Sequence, residues 1–181
     1  VANSGPDEIM EACFEDLLWH RGEATGWRVS ADCAKALEAH TKEGDCFATN
    51  NRVLWGGNLS ILVSLLGTPY FPSVRRGVLF LEDVGEHPYR IERMLTQLLH
   101  TGVLSSQKAI VLGQFTEYKL TAHDRSFNLR SVVDWIRSQT QVPVLDNFPY
   151  GHVPTKVLVP FGAKVDLVLK GRDAMLAWGH I

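Results

Sequence analysis

The chain is short of cysteine, of one-sided charge and of long apolar runs, and each shortage closes off a class of function. Among 181 residues the cysteines are Cys13, Cys33 and Cys46, an odd number at irregular spacing with no C-x-x-C pair. Neither a zinc site nor a disulfide framework follows from them, and a reducing compartment suits them best. Eighteen basic residues against twenty acidic ones give a formal net charge of -2, so the global basic field that nucleic-acid binders use is missing. The apolar stretch Ile61-Leu62-Val63, resumed at Leu65-Leu66, is far short of the roughly 20 residues a membrane span needs. The opening residues Val1-Ala2-Asn3-Ser4-Gly5-Pro6-Asp7-Glu8 carry neither the basic nor the apolar region of a signal peptide. No nucleic acid and no membrane is expected as a partner, and a cytoplasmic location is expected. With 45% hydrophobic and 21% charged residues, the composition is that of an ordinary globular domain.

What is present is an alternation of short apolar runs and amphipathic stretches. Residues 7–20 read as an amphipathic helix, with Ile9, Phe14, Leu17 and Leu18 near one face and Gly22 as a stop. Over 25–47 the pattern is weaker, Ala34, Leu37 and Ala39 hinting at a second short helix. Arg52-Val53-Leu54-Trp55 leads into Gly56-Gly57-Asn58, and 59–66 is apolar nearly all round. That predicts a buried helix starting near Asn58 and stopped at Gly67-Thr68-Pro69. Val78-Leu79-Phe80-Leu81, ending in Glu82 and Asp83, suits a strand buried on both faces whose carboxyl end opens on a polar crevice.

A helix follows over 89–99, with Ile91, Leu95, Leu98 and Leu99 at helical spacing. Strand 108–113, helix 127–138 and strand 142–146 continue the alternation. Val157-Leu158-Val159-Pro160 and Val165-Asp166-Leu167-Val168-Leu169 read as strands joined by a turn at Phe161-Gly162-Ala163, with a last strand over 174–178. The pattern predicts one α/β domain over 1–181, residues 1–50 holding a leading helix and a connecting region.

Two residues stand out chemically. Glu82, with Asp83 and Glu86 behind it, lies where open α/β sheets bind ligands, beyond a strand's carboxyl end; the competing role is helix capping or a solvated loop acid. His152, between Gly151 and Val153-Pro154, sits in a tight loop that would fix its backbone, as a general base requires. An imidazole held by a carboxylate is the base half of a nucleophilic triad. Acid before histidine also matches the chain order of α/β-hydrolases.

The nucleophile is what the pattern lacks. No G-x-S-x-G occurs, Ser60 falls inside the predicted helix without an elbow, and Cys46 has no base beside it in sequence. There is no G-x-x-x-x-G-K-[ST] and no H-E-x-x-H. A metal-dependent hydrolase built on Glu82, Asp83 and His87 fits no common ligand spacing, so no metal and no cofactor is expected. Gly56-Gly57-Asn58 at a helix start could hold an anion on free amides, though close packing explains two glycines equally well.

Several motifs stand in order along the chain: Leu54-Trp55-Gly56-Gly57-Asn58-Leu59, Leu66-Gly67-Thr68-Pro69-Tyr70, Val78-Leu79-Phe80-Leu81-Glu82-Asp83, Pro88-Tyr89-Arg90-Ile91-Glu92-Arg93-Met94-Leu95, the stretch 108–115 and Tyr150-Gly151-His152. In order and separation they resemble the murein tetrapeptide LD-carboxypeptidases and the related microcin-immunity serine peptidases. The resemblance covers 54–166, with a weaker match before that. It implies a swivelling α/β C-terminal domain with a mixed, barrel-like sheet and flanking helices. It also implies a serine-type enzyme that releases the terminal D-alanine of murein tetrapeptides in peptidoglycan recycling, using a Ser-His-Glu triad without metal.

The family's glutamate falls on Glu82 and its histidine on His152. Asn58, Trp55 and Glu86 become substrate-side candidates, with core packing as the competing role of Trp55. The family's serine and oxyanion donors belong to an N-terminal Rossmann-like domain not in this chain. The expected partners are therefore a nucleophile-bearing chain or domain, a murein peptide and, for the complete enzyme, a second copy in a homodimer. A chain cleaved from its nucleophile-bearing part but still associated with it is expected ahead of a bare fragment. The alternative is a non-catalytic peptide-binding or oligomerisation domain.

Overall fold

A single long strand organises the computed structural model, which describes residues 7–19, 24–41 and 46–179. This strand, β2 (Cys46–Asn58), pairs antiparallel with β6 (Lys164–Lys170) along its first half and parallel with β3 (Val78–Val84) along its second. The full order is β1 (Ala24–Arg28), β7 (Asp173–Ala177), β6, β2, β3, β4 (Ala109–Thr116), β5 (Val144–Leu145). Strands β1, β7 and β6 form an antiparallel half, and β3, β4 and β5 a parallel one. Near its middle β2 takes one extra residue against β6, between Thr49 and Arg52. Asn51 absorbs it in the left-handed region, at φ 56°, and donates its N–H to Asp166 Oδ1 at 2.7 Å. Asparagine tolerates that conformation better than most residues.

The parallel half is linked by α3 (Leu59–Ser64), α4 (Pro88–His100) and α5 (Leu129–Gln139). Ile91, Leu95 and Leu98 of α4 and Val132 and Ile136 of α5 pack with Leu79 and Leu81 of β3 and Ile110 and Leu112 of β4. The alternate residues of β3, Val78 and Phe80, join a second cluster with Leu54, Val165 and Leu167 and with Cys33 and Leu37 of α2 (Ala31–Leu37). Successive side chains of a strand point to opposite faces. A strand with a core on each side therefore reads as a continuous apolar run, as β3 does.

Three expectations need correction. The predicted strand at 157–160 does not form: Val157 and Val159 pack against the second cluster, but Pro160 has no N–H to pair and no neighbouring strand takes up the segment. The turn after it instead docks on β2, Gly162 donating to Leu54 O at 2.8 Å and Leu54 to Ala163 O at 2.9 Å. The leading helix, α1 (Glu8–Leu18), forms as predicted but buries a different face. Met10, Cys13 and Leu17 are its half-buried side, while Ile9, Phe14 and Leu18 are exposed. Finally, the connecting region before residue 50 contains β1 and the first half of β2. Strand β1 buries only Trp27, so its sequence carries almost no apolar alternation. Gly22 and the side chains of Ala39 and Cys46 lie outside the described residues. Among those described, no helix is long and apolar enough to cross a membrane.

Candidate active site

Glu82 stands at the carboxyl end of β3, opposite Asn58 of β2. At that point β4 carries one residue more than β3: Leu81 pairs with Leu112, but Asp83 pairs with Phe115. The extra length falls at Gly113-Gln114 and opens β4 to the segment around residue 150. Gln114 donates its N–H to Tyr150 O at 2.8 Å and its side-chain amide to Phe148 O at 3.0 Å. Gly113 makes the approach possible, since a Cβ there would lie 2.6 Å from Tyr150 O and 3.2 Å from Glu82 Cβ. Gly151 has φ +127°, and a Cβ on it would meet Gln114 O at 2.9 Å and Glu82 Oε2 at 3.1 Å. Both glycines leave room for backbone to cross directly over the carboxylate.

This crossing delivers His152. Its Nδ1 is 3.1 Å from Glu82 Oε2, and Thr116 Oγ1 donates to its carbonyl at 3.1 Å. The Glu82 side chain is 6% exposed and that of His152 56%, so a buried acid holds an open imidazole. A carboxylate only accepts, so the ring nitrogen facing it carries the proton. In the neutral ring Nε2 then presents a lone pair away from Glu82, with no hydrogen-bond partner among the described residues. Glu82 Oε1 accepts from Asn58 Nδ2 at 3.3 Å. The neighbouring Tyr150 ring packs edge-on to Phe80 at 5.0 Å, and burial together with the negative charge of Glu82 raises its phenol pKa.

The adjacent Asp83 has another task. Its buried carboxylate accepts from Asn58 Nδ2 at 2.9 Å, from Ser60 N–H at 2.8 Å and from Val84 N–H at 2.9 Å. Asn58 caps α3 through Oδ1, which accepts from Ile61 N–H at 3.1 Å and from the Ser60 hydroxyl at 2.8 Å. The Ser60 hydroxyl is thus committed to the cap, and among the described residues no serine hydrogen-bonds to His152.

Of the residues singled out in sequence, Glu82, His152 and Asn58 come together; Trp55 and Glu86 do not join them. Trp55 is buried in the α3–α4–α5 cluster, its indole donating to Gln107 Oε1 at 2.9 Å. Glu86 Oε2 lies 2.7 Å from Arg90 Nε, an ion-pair contact across the first turn of α4 whose angle falls short of a hydrogen bond. His87 caps α4 and faces Asp124 at 3.3 Å. Glu82 and Asp83 share Asn58 as a donor while His87 has partners of its own, and no three His, Cys, Asp or Glu side chains among the described residues gather around one point. Gly113, Thr116 and Tyr150 position the pair; in sequence Gly113 and Tyr150 stand only within motifs of the resemblance, and none of the three has a role assigned there. A glycine closing the apolar run Ala109-Ile110-Val111-Leu112 was the available signal for a close backbone approach.

Residues 52–167 match the LD-carboxypeptidase C-terminal domain. The chain belongs to the LD-carboxypeptidase family. Among its relatives is a probable murein peptide carboxypeptidase of Bacillus subtilis, 38% identical over 127 residues that make up 70% of this chain and 40% of that protein. A murein tetrapeptide carboxypeptidase of Pseudomonas aeruginosa is 37% identical over 112 residues, 60% of this chain and 35% of that one. Among solved structures, the muramoyltetrapeptide carboxypeptidase from Oxalobacter formigenes superposes with a TM-score of 0.80 at 34% identity, over 96% of this chain and 55% of that chain. The microcin C7 self immunity protein MccF shares the fold at 21% identity, with a TM-score of 0.69 over 98% of this chain and 58% of that chain. The chain thus spans about two fifths of the length of the curated relatives it matches.

Proposed function

We propose that this chain supplies the acid and the base of a serine LD-carboxypeptidase that releases the terminal D-alanine from murein tetrapeptides, and that the nucleophilic serine comes from a part of the complete protein outside it. The observation that carries the reading is the buried Glu82 carboxylate 3.1 Å from the Nδ1 of an exposed histidine whose Nε2 is open. In this mechanism Nε2 of His152 takes the serine proton as the hydroxyl attacks the carbonyl of the L,D-peptide bond. The imidazolium is stabilised by Glu82, which stays ionised, and the proton then passes to the leaving amine of D-alanine. Asn58 steadies Glu82 from the other side. The names of the relatives support a murein substrate, the resemblance supports a role in peptidoglycan recycling, and the cysteine usage supports a reducing, cytoplasmic location.

The test is made in the complete protein, by following D-alanine release from a murein tetrapeptide. His152→Ala removes the base and is expected to lower kcat by on the order of 10³-fold or more. Glu82→Gln keeps the shape and withdraws the charge, so kcat should fall severely while KM changes little. Asp83→Asn should act mainly on stability, because Asp83 holds the start of α3. An essential Asp83 beside a dispensable Glu82 would overturn the assignment.

A further inference from the structure

Helix α1 is amphipathic, yet none of its residues is buried. It touches the rest of the chain through its half-buried side, Leu17 packing against the same cluster as Val157 and Val159. Phe14 and Leu18, one helical turn apart and so side by side on the surface, are each more than half exposed, as is Trp19 at the helix end. An isolated exposed leucine needs no explanation, but two large aromatics and a leucine grouped on one short helix do.

Two further observations bear on what covers this face. First, 96% of this chain superposes on only 55% of a 34% identical solved relative, so that relative carries a large additional part with no counterpart in this chain. Second, the beginning of α1 is tied to the candidate site. Asp7, its N-cap, accepts from Met10 N–H at 2.9 Å through one carboxylate oxygen and from the Thr155 hydroxyl through the other. Thr155 is three residues beyond His152, in the loop whose carbonyl Thr116 holds. The beginning of α1 is thereby tied to the loop that carries the histidine, and the exposed Phe14 and Leu18 follow about two and three turns further along the same helix.

We propose that the Phe14–Leu18–Trp19 face of α1 is the docking surface for the nucleophile-bearing part of the complete protein, and that Asp7 and Thr155 connect this contact to the loop carrying His152. The proposal rests on the triad reading above for the identity of the occupant. The docked part gains burial of apolar side chains, and its position is referred through a short rigid helix to the base that its serine must meet.

Hydroxyl-radical footprinting of the complete protein, read by mass spectrometry and normalised for side-chain reactivity, tests it. Phe14 and Trp19 should label several-fold more slowly than Tyr70 and Met175, which are exposed elsewhere on this chain. Phe14 and Trp19 labelling as fast as those references would overturn the proposal. So would protection that disappears on dilution, which would assign the face to a second copy of the chain. The paired change Phe14→Ser and Leu18→Ser should restore fast labelling at Trp19 and lower D-alanine release. If His152→Ala left activity intact with Phe14 and Trp19 still protected, the triad reading would fail; an unprotected α1 with His152→Ala inactive would defeat only the docking.

Discussion

Glu82 and Asp83 are neighbours that share one donor, the side-chain amide of Asn58, and differ in their remaining partners. One carboxylate meets Asn58 and His152; the other meets Asn58, Ser60 N–H and Val84 N–H at the start of α3. Trp55 belongs on the structural side of that division. In Trp55→Phe an aromatic ring is kept, but Gln107 Oε1 loses the one donor it has among the described residues, in a buried place. Denaturant unfolding should show a loss of about 1–3 kcal/mol, with the KM of the complete enzyme unchanged; a raised KM at unaltered stability would return Trp55 to the substrate side. Cys33 offers a test by pH. Burial pushes its thiol from an ordinary value of 9.0 up to about 11, so the folded protein holds the proton longer than the unfolded chain. The resulting stabilisation is fully present below pH 9.0 and is lost as pH rises through about 11. Iodoacetamide at neutral pH should accordingly spare Cys33 until denaturant is added, while half-buried Cys13 reacts first; equal labelling of the two in the native state would contradict the packing of α2.

Element packing around β2 depends on backbone that side chains would obstruct. Gly56 and Gly57 both have φ well into the positive region, at 128° and 117°. Only Gly56 is also crowded: a Cβ there would lie 2.0 Å from the carbonyl oxygen of Phe80 on β3, whereas Gly57 faces open space. Strand β3 is buried on both faces and has nowhere to retreat. Gly57→Ala should therefore cost about 1–3 kcal/mol, the strain of the backbone region alone. Gly56→Ala should cost clearly more, enough to impair soluble expression. Comparable losses in the two variants, measured by denaturant midpoint, would show that β2 and β3 do not approach as closely as the register Gly56–Phe80 requires.

At the scale of the whole molecule, one sheet separates two apolar clusters, and β3 contributes to both, Val78 and Phe80 to one and Leu79 and Leu81 to the other. Such sharing should make the two halves unfold together. Leu54→Ala removes a fully buried side chain from the cluster that contains β6, with an expected cost of about 2–5 kcal/mol. Hydrogen exchange should show the slowest amides of β6 and of α4 accelerating by the same factor. Acceleration confined to β6 would mean that the antiparallel and parallel halves are separate cooperative units, joined by β2 without being coupled through it.

Local pattern by itself determined the elements whose burial is complete or helically periodic. Strand β3, strand β4, helices α4 and α5 and the Asn58 start of α3 were all legible, because an apolar run or a 3.6-residue period reports how much of an element is covered. The Glu82–His152 pair was likewise chosen from sequence, from an acid at a strand end, a histidine framed by Gly151 and Pro154, and a family resemblance. Periodicity does not report which element does the covering, and that was left to the tertiary structure. Strand β1, with Trp27 as its one buried residue, exists because β7 offers it a hydrogen-bonding edge. The apolar pattern at Val157 and Val159 records burial without a strand partner. Trp55 faces the helices and not the crevice. The 3.1 Å approach of His152 to Glu82 depends on an extra residue in β4 and on the absence of a Cβ at Gly113 and Gly151. Those are contacts between segments some 30 to 70 positions apart, and no local window contains both sides of them.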